Sequence, residues 1–179
     1  DQTVMFGRHG QFYDNPIVYP GADTPDGPTV AGLVVAAVRD KAPIHIDVIG
    51  VGSSPYDFLV KANQQVIGVN VAEKSANTDQ SGRLHFKNQR SADWWGLRED
   101  LDPENNTGIM LPPHKGLAAD LCAPTWKLQG EVIYVEGRDE IVKRIGRSPD
   151  FAAALTLARR NTPKYAFIDE MTSHHRRGP

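Results

Sequence analysis

The sequence predicts an α/β fold whose sheet is parallel in part. Three observations carry that prediction. Apolar, β-branched runs at 44–49 and 66–71 flank a helical stretch at 56–62, and another helical stretch precedes them at 29–39. Strands that alternate with helices are the mark of parallel crossovers. Breaker clusters stand at the joints, above all Pro20-Gly21-Ala22-Asp23-Thr24-Pro25-Asp26-Gly27-Pro28, where Gly and Pro force the chain to turn. Finally, 179 residues at 40 % hydrophobic and 23 % charged suffice for one packed core and for one domain with at most a tail.

The elements follow in order. Residues 3–6 and 12–19 are extended runs around His9-Gly10-Gln11, which reads as a hairpin. In 29–39, Val30, Leu33, Val34, Ala37 and Val38 recur at helical spacing, with Pro28 suited to the first turn. Pro43 opens the run 44–49, too apolar for an edge strand and expected to be buried on both faces. Gly50-Val51-Gly52-Ser53-Ser54-Pro55 turns the chain into the helix at 56–62, and 66–71 is the next strand. Residues 73–82 are polar and read as a loop. Ser91 is expected to cap a helix through Leu101, with Trp94 and Leu97 as packing residues. Residues 117–122 form a further helix after Pro112-Pro113, and 126–128 and 131–135 a hairpin around Gln129-Gly130. A charged helix at 138–145 stops at Gly146. Ser148-Pro149-Asp150 caps the last helix at 151–160. The domain is expected over 1–160, with 161–179 a loose basic tail.

Net charge is −2, but its distribution is uneven. From Arg138 onward the chain is basic, and the remainder is acidic, so the basic end suits an anionic partner. The single cysteine, Cys122, excludes a disulfide framework within the chain and reads as a small core residue. No apolar run reaches the roughly 18 residues of a membrane helix. No signal-peptide pattern opens the chain, and a cytoplasmic setting is expected. The G-x-x-x-x-G-K-[ST] phosphate loop is absent, which excludes a complete P-loop ATPase. Gly50-Val51-Gly52 lacks the third glycine of a dinucleotide fingerprint.

Two carboxylates stand out. Asp47 lies inside Ile44-His45-Ile46-Asp47-Val48-Ile49, near the end of a strand expected to be buried. A buried carboxylate must be protonated, paired or bound to a cation, and the C-terminal end of a strand is where open α/β sheets bind ligands. Asp150 makes a good first-turn acid for its helix with no function needed, yet Arg144 and Arg147 precede it closely. A carboxylate beside guanidinium groups suits a site where metal and phosphate meet.

Three stretches carry a family resemblance: Ile44-His45-Ile46-Asp47-Val48-Ile49-Gly50-Val51-Gly52, then Asn88-Gln89-Arg90 with Trp94-Trp95 and Leu97-Arg98-Glu99, then Arg144-Ile145-Gly146-Arg147-Ser148-Pro149-Asp150-Phe151-Ala152-Ala153-Ala154. Together they resemble the C-terminal nuclease domain of tailed-phage or prophage terminase large subunits. The resemblance implies a ribonuclease-H-like mixed sheet flanked by helices. It implies a metal-dependent endonuclease that cuts concatemeric viral DNA with two Mg²⁺ or Mn²⁺ ions about 3.5–4 Å apart. In that family one metal-holding acid ends the first sheet strand, one lies on a later strand, and one opens a C-terminal helix. Asp47 looks like the second and Asp150 like the third, both catalytic. Lys143, Arg144 and Arg147 would hold the DNA backbone. Double-stranded DNA, the terminase small subunit and the portal are the implied partners, in the cytoplasm of a bacterial host.

The chain also departs from the family. Its members carry an upstream strand ending in Asp, a glycine-rich turn, and then Asp-x-Thr-Val, whereas this sequence opens at Asp1-Gln2-Thr3-Val4. The expectation is a nuclease domain lacking its first strand, with Asp1 as a secondary metal ligand, weak metal affinity, little cleavage, and an exposed sheet edge that can pair with another copy. Two alternatives stand beside it: a non-catalytic domain that binds DNA or packaging partners, and a small-ligand binder using the loop at 50–54.

Overall fold

The computed structural model describes residues 2–49 and 53–162. The N-terminal run folds as a nested hairpin. Strand β1 (Gln2–Met5) pairs antiparallel with β4 (Ile17–Pro20), and inside them β2 (Arg8–His9) pairs with β3 (Phe12–Tyr13). The inner pair is closed by Gly10 at φ 65°, the left-handed region that a side chain would strain. The breaker cluster becomes a short 3₁₀ turn, Gly21–Asp23. Helix α1 (Gly27–Ala37) then starts where Asp26 accepts the Thr29 N–H at 2.9 Å, a side-chain cap that satisfies one free helix donor.

The parallel unit stands as the sequence predicts. Strand β5 (Ile44–Asp47) runs through α2 (Ser53–Lys61) to β6 (Val66–Val69), which it pairs in parallel with Asp47 opposite Val69. Ala31, Val34 and Leu59 of the two helices form a small core against Met5, Ile44, Ile46 and Val66. The larger core belongs to the second half. Helix α3 (Gln89–Leu101) packs against a three-stranded sheet in the order β7 (His85–Phe86), β9 (Val132–Val135), β8 (Trp126–Gln129), and helix α6 (Asp150–Arg159) packs against α3. Tyr13, Phe86, Trp94, Trp95, Leu97, Leu117, Ile133 and Leu155 are buried in it. Each such side chain contributes about 1.5–3 kcal/mol of burial. Helix α4 (Lys115–Leu121) closes over α6, and α5 (Arg138–Ile145) ends at Gly146, φ 76°. No helix among the described residues is long and apolar enough to cross a membrane.

Several expectations are corrected. The single mixed sheet is instead four small sheets among the described residues. In particular β1–β4 and β5–β6 are separate two-stranded pairs, although α6 packs against both β1 and β5. Strand β5 is only half-buried, and Ile49 beyond it is 46 % exposed, because among the described residues β5 has a strand on one edge only. Helix α3 is capped by Asn88, which accepts the N–H of Ser91 at 2.9 Å and its hydroxyl at 2.8 Å. Ser91 is instead buried and accepts the Val135 N–H. Cys122 is exposed rather than core, since it follows α4 past its buried face. The expected tail beyond residue 162 lies outside the described residues, as does Asp1.

Candidate functional site

Asp47 closes β5, where the parallel pair ends. One of its oxygens, Oδ1, accepts the Ile49 N–H at 2.9 Å. Burial pushes its carboxyl above the usual carboxylate range, opposed by that N–H and by the charge of Arg90. Arg90 is built into the start of α3. Its main-chain N–H donates to the Val71 carbonyl at 2.8 Å, just past β6, and its Nε donates to the Glu136 carbonyl at 2.9 Å. The guanidinium lies over the Trp94 ring, 5.2 Å from the centroid. Its Nη2 is buried without a hydrogen-bond partner among the described residues, an arrangement that costs free energy unless something answers it.

Asp150 opens α6, and its Oδ2 accepts the Gln2 N–H at 3.0 Å. The carboxylate therefore touches the first described residue of β1. The start of this helix is not capped by Ser148 as expected. Pro149 holds the cap position without a side-chain bond, and Ser148 Oγ accepts Arg138 Nε at 3.0 Å. The cap is supplied from α4: the fully buried Asp120 accepts the Phe151 N–H at 2.9 Å through Oδ2, and its other oxygen pairs with Arg147. Helix α6 packs against β5, so Asp47 and Asp150 stand on elements in contact, one at a strand end and one at a helix start. Asp1, the third acid the sequence points to, lies outside the described residues, next in the chain to Gln2. Among the described residues no group of three or more His, Cys, Asp or Glu is arranged to hold a metal.

The basic residues before Asp150 are engaged within the fold. Arg144 donates from Nε at 2.9 Å and from Nη2 at 2.6 Å to the two oxygens of Glu136, a bidentate pair. It also donates to the Ala123 carbonyl at 2.5 Å. Glu136 accepts the Thr125 N–H and hydroxyl as well, and the Arg144 bond above all holds its carboxyl at about 2. Arg147 pairs with Asp120. Lys143 is exposed on α5. The arginines thus brace the loop that delivers Asp150, through Glu136 and Asp120.

Asp120 and Glu136 are residues sequence reasoning passed over, and Arg90 entered it only as part of the resemblance, with no role at the site. A lone acid in Leu117-Ala118-Ala119-Asp120-Leu121 is a legible signal for a buried, partnered carboxylate. Nothing local in the sequence tells that its partners lie 27 and 31 positions on.

The small-ligand alternative rested on 50–54, of which 50–52 lie outside the described residues. An apolar groove of about 500 Å³ among the described residues lies elsewhere, between α3 and β8 and lined by Trp95, Leu101, Leu121 and Trp126.

No sequence family matches the chain, and no curated protein matches it. Solved structures do. The nuclease domain of the large terminase subunit gp2 of bacterial virus Sf6 is similar with a TM-score of 0.63 and 18 % identity, over 88 % of this chain and 81 % of that one. A point mutant of that domain with manganese and beta-thujaplicinol gives 0.64 at 16 % identity over the same shares. A point mutant with calcium gives 0.61 at 18 %, again over 88 % and 81 %. At this identity the likeness is one of fold.

Proposed function

We propose that this chain is a metal-dependent DNA endonuclease domain of the terminase large-subunit kind, ribonuclease-H-like in fold, which cuts concatemeric viral DNA during genome packaging in the bacterial cytoplasm. The observation that carries this reading is the placement of one carboxylate, Asp47, at the C-terminal end of a parallel strand and of another, Asp150, at the start of a helix that packs on that strand. The fold likeness to terminase nuclease domains supports it.

The donor set fits a hard divalent cation in kind. Both groups are carboxylates, each with one oxygen oriented by a main-chain N–H, and oxygen ligands suit Mg²⁺ or Mn²⁺. Similar domains carry manganese or calcium in their structures, which supports a divalent ion here, two in an intact site. When bound, such an ion supplies Lewis-acid polarisation of a phosphoryl oxygen. The chain's own residues do the rest. Asp47 and Asp150 would hold the ions, with Asp1 as a further oxygen donor. Arg90 keeps a fixed positive charge beside Asp47 that favours its ionised form. Lys143, Arg144 and Arg147 hold the DNA backbone without reading sequence, the two arginines from positions already braced by Glu136 and Asp120. The terminase small subunit and the portal are the protein partners of this reading.

Plasmid nicking tests it. With Mn²⁺ or Mg²⁺ an intact protein carrying this domain is expected to nick duplex DNA with little sequence preference, far more than the 179-residue chain by itself, and Asp47→Asn or Asp150→Asn to abolish nicking, since an amide keeps the shape but loses the anion. Undiminished cutting by both variants would remove these residues from the mechanism. Duplex binding without metal-dependent nicking would instead favour the non-catalytic alternative.

A further inference from the structure

Outside the Asp47–Asp150 region, the outward face of the β7–β9–β8 sheet carries a feature that the reading above does not use. Along β9 the side chains alternate: Ile133 and Val135 point into the core, at 0 % and 5 % exposure, so Tyr134 points out. In β8, Lys127 is the register partner of Tyr134. In β7, Phe86 pairs with Ile133 and is buried, and the next residue, Lys87, donates its main-chain N–H to the Ile133 carbonyl at 3.0 Å. Lys87, just past β7, Tyr134 of β9 and Lys127 of β8 therefore form a row across the sheet. Both ammonium groups converge on one ring, Lys87 Nζ at 4.4 Å and Lys127 Nζ at 4.8 Å from the Tyr134 centroid.

The ring is held in place. Tyr134 Oη donates to Glu140, which also accepts the Gly137 N–H at 2.6 Å. Glu140 is thus occupied by uncharged donors, and neither lysine has an ion pair among those the structure shows. Two exposed like charges drawn to one ring repel each other, and a shared anionic chain relieves that repulsion.

We propose that Lys87, Tyr134 and Lys127 form a backbone-binding track for duplex DNA. This rests on the nuclease reading for its choice of ligand. The lysines take phosphate oxygens, and Tyr134 keeps their two stems splayed at a set spacing, with no contact to base edges and hence no sequence preference.

Equilibrium binding of a fluorescent duplex oligonucleotide to the 179-residue chain, in EDTA and over a range of salt concentrations, tests the track. The wild type is expected to bind with an affinity that falls linearly in log–log form. Lys87→Ala with Lys127→Ala is expected to flatten that slope by about 1.8, or 0.9 for each phosphate released, and to weaken binding roughly tenfold at low salt. Lys87→Arg with Lys127→Arg is expected to keep the slope, and both variants to melt as the wild type does. An unchanged slope in the alanine variant, loss in the arginine variant, or no duplex binding by the wild type would overturn the proposal. So would an acidic polypeptide that competes as well as DNA and depends on the same lysines, which would assign the face to an acidic protein. The two readings fail separately. Cutting that survives Asp47→Asn defeats the nuclease assignment, whereas a normal salt slope in the alanine variant defeats only the track.

Discussion

Asp120 has no exposed surface, and its carboxylate is consumed by Arg147 on one side and the Phe151 N–H on the other. Removing it strands a helix donor and a guanidinium in one step. Asp120→Ala is expected to cost roughly 2–4 kcal/mol, below the full penalty for a broken buried pair because Arg147 remains half in solvent. Urea unfolding measures this, and Asp120→Asn, which keeps one acceptor, is expected to lose less. Since Asp150 begins the turn that Asp120 holds, nicking is expected to fall in Asp120→Ala even where the protein stays folded. Glu136 makes a pH prediction. Its carboxyl is held at about 2, chiefly by Arg144, against an ordinary 4.5. A depressed carboxylate contributes stability that is complete above its unfolded value and lost as pH falls through its folded one. Arg144→Gln is therefore expected to lower Tm at neutral pH, and the gap from wild type to close between about 4.5 and about 2. A gap of constant size across that range in thermal melts would count against the Glu136–Arg144 pair as its origin. Asp47 was legible as a residue, because a carboxylate inside an apolar strand is conspicuous. The ion pairs of Arg144 and Arg147 were not, because adjacency in sequence to Asp150 says nothing of which carboxylate a long side chain reaches.

Helix α6 is the element on which the candidate site depends, and both its ends are anchored by side chains from elsewhere. At its C-terminal end Arg159 holds Asp100 through bonds of 2.5 and 3.1 Å, and Arg160 holds Asp93 through bonds of 2.6 and 2.7 Å. Asp93 is buried, and burial raises its carboxyl despite Arg160. Arg160→Ala would leave that carboxyl without its partner, and a loss of roughly 2–4 kcal/mol is expected in chemical unfolding. A second close approach joins α1 to α2. A Cβ on Gly27 would lie 2.1 Å from Ser54 Oγ and 2.8 Å from the Ser54 carbonyl carbon. The hydroxyl can rotate away but the main chain cannot, so Gly27→Ala is expected to cost about 1–3 kcal/mol by overpacking, read as a lowered midpoint in urea. The elements themselves were largely readable. The span 138–145 with its glycine stop matches α5, and the hairpin around Gln129-Gly130 and the β5–α2–β6 unit stand where periodicity and breakers put them. The caps were not readable. Ser91 and Ser148 look like caps in sequence, but Asn88 and the distant Asp120 do that work, because a cap is chosen by which acceptor reaches the free N–H groups in three dimensions.

At the scale of the whole molecule, the two-stranded pairs β1–β4 and β5–β6 are the weakest feature. Isolated two-stranded pairs are marginal in water, and an outer edge with unpaired main-chain groups invites another strand. Self-association through such an edge is expected, seen as a concentration-dependent rise in mass by sedimentation velocity. A strictly monomeric protein at all concentrations would remove that partner. The sequence by itself determined the α/β class, the order of most elements, and the two carboxylates worth attention. Those depend on local periodicity, on turn chemistry, and on the cost of an acid in an apolar run, all of which act over a few residues. Only the tertiary structure decided that the sheet is divided, that α6 packs on both β1 and β5, that the arginines close on Glu136 and Asp120, and that Lys87, Tyr134 and Lys127 share one face. Each of these depends on strand register or on a side chain's reach across tens of positions, and neither is encoded in any local stretch of the chain.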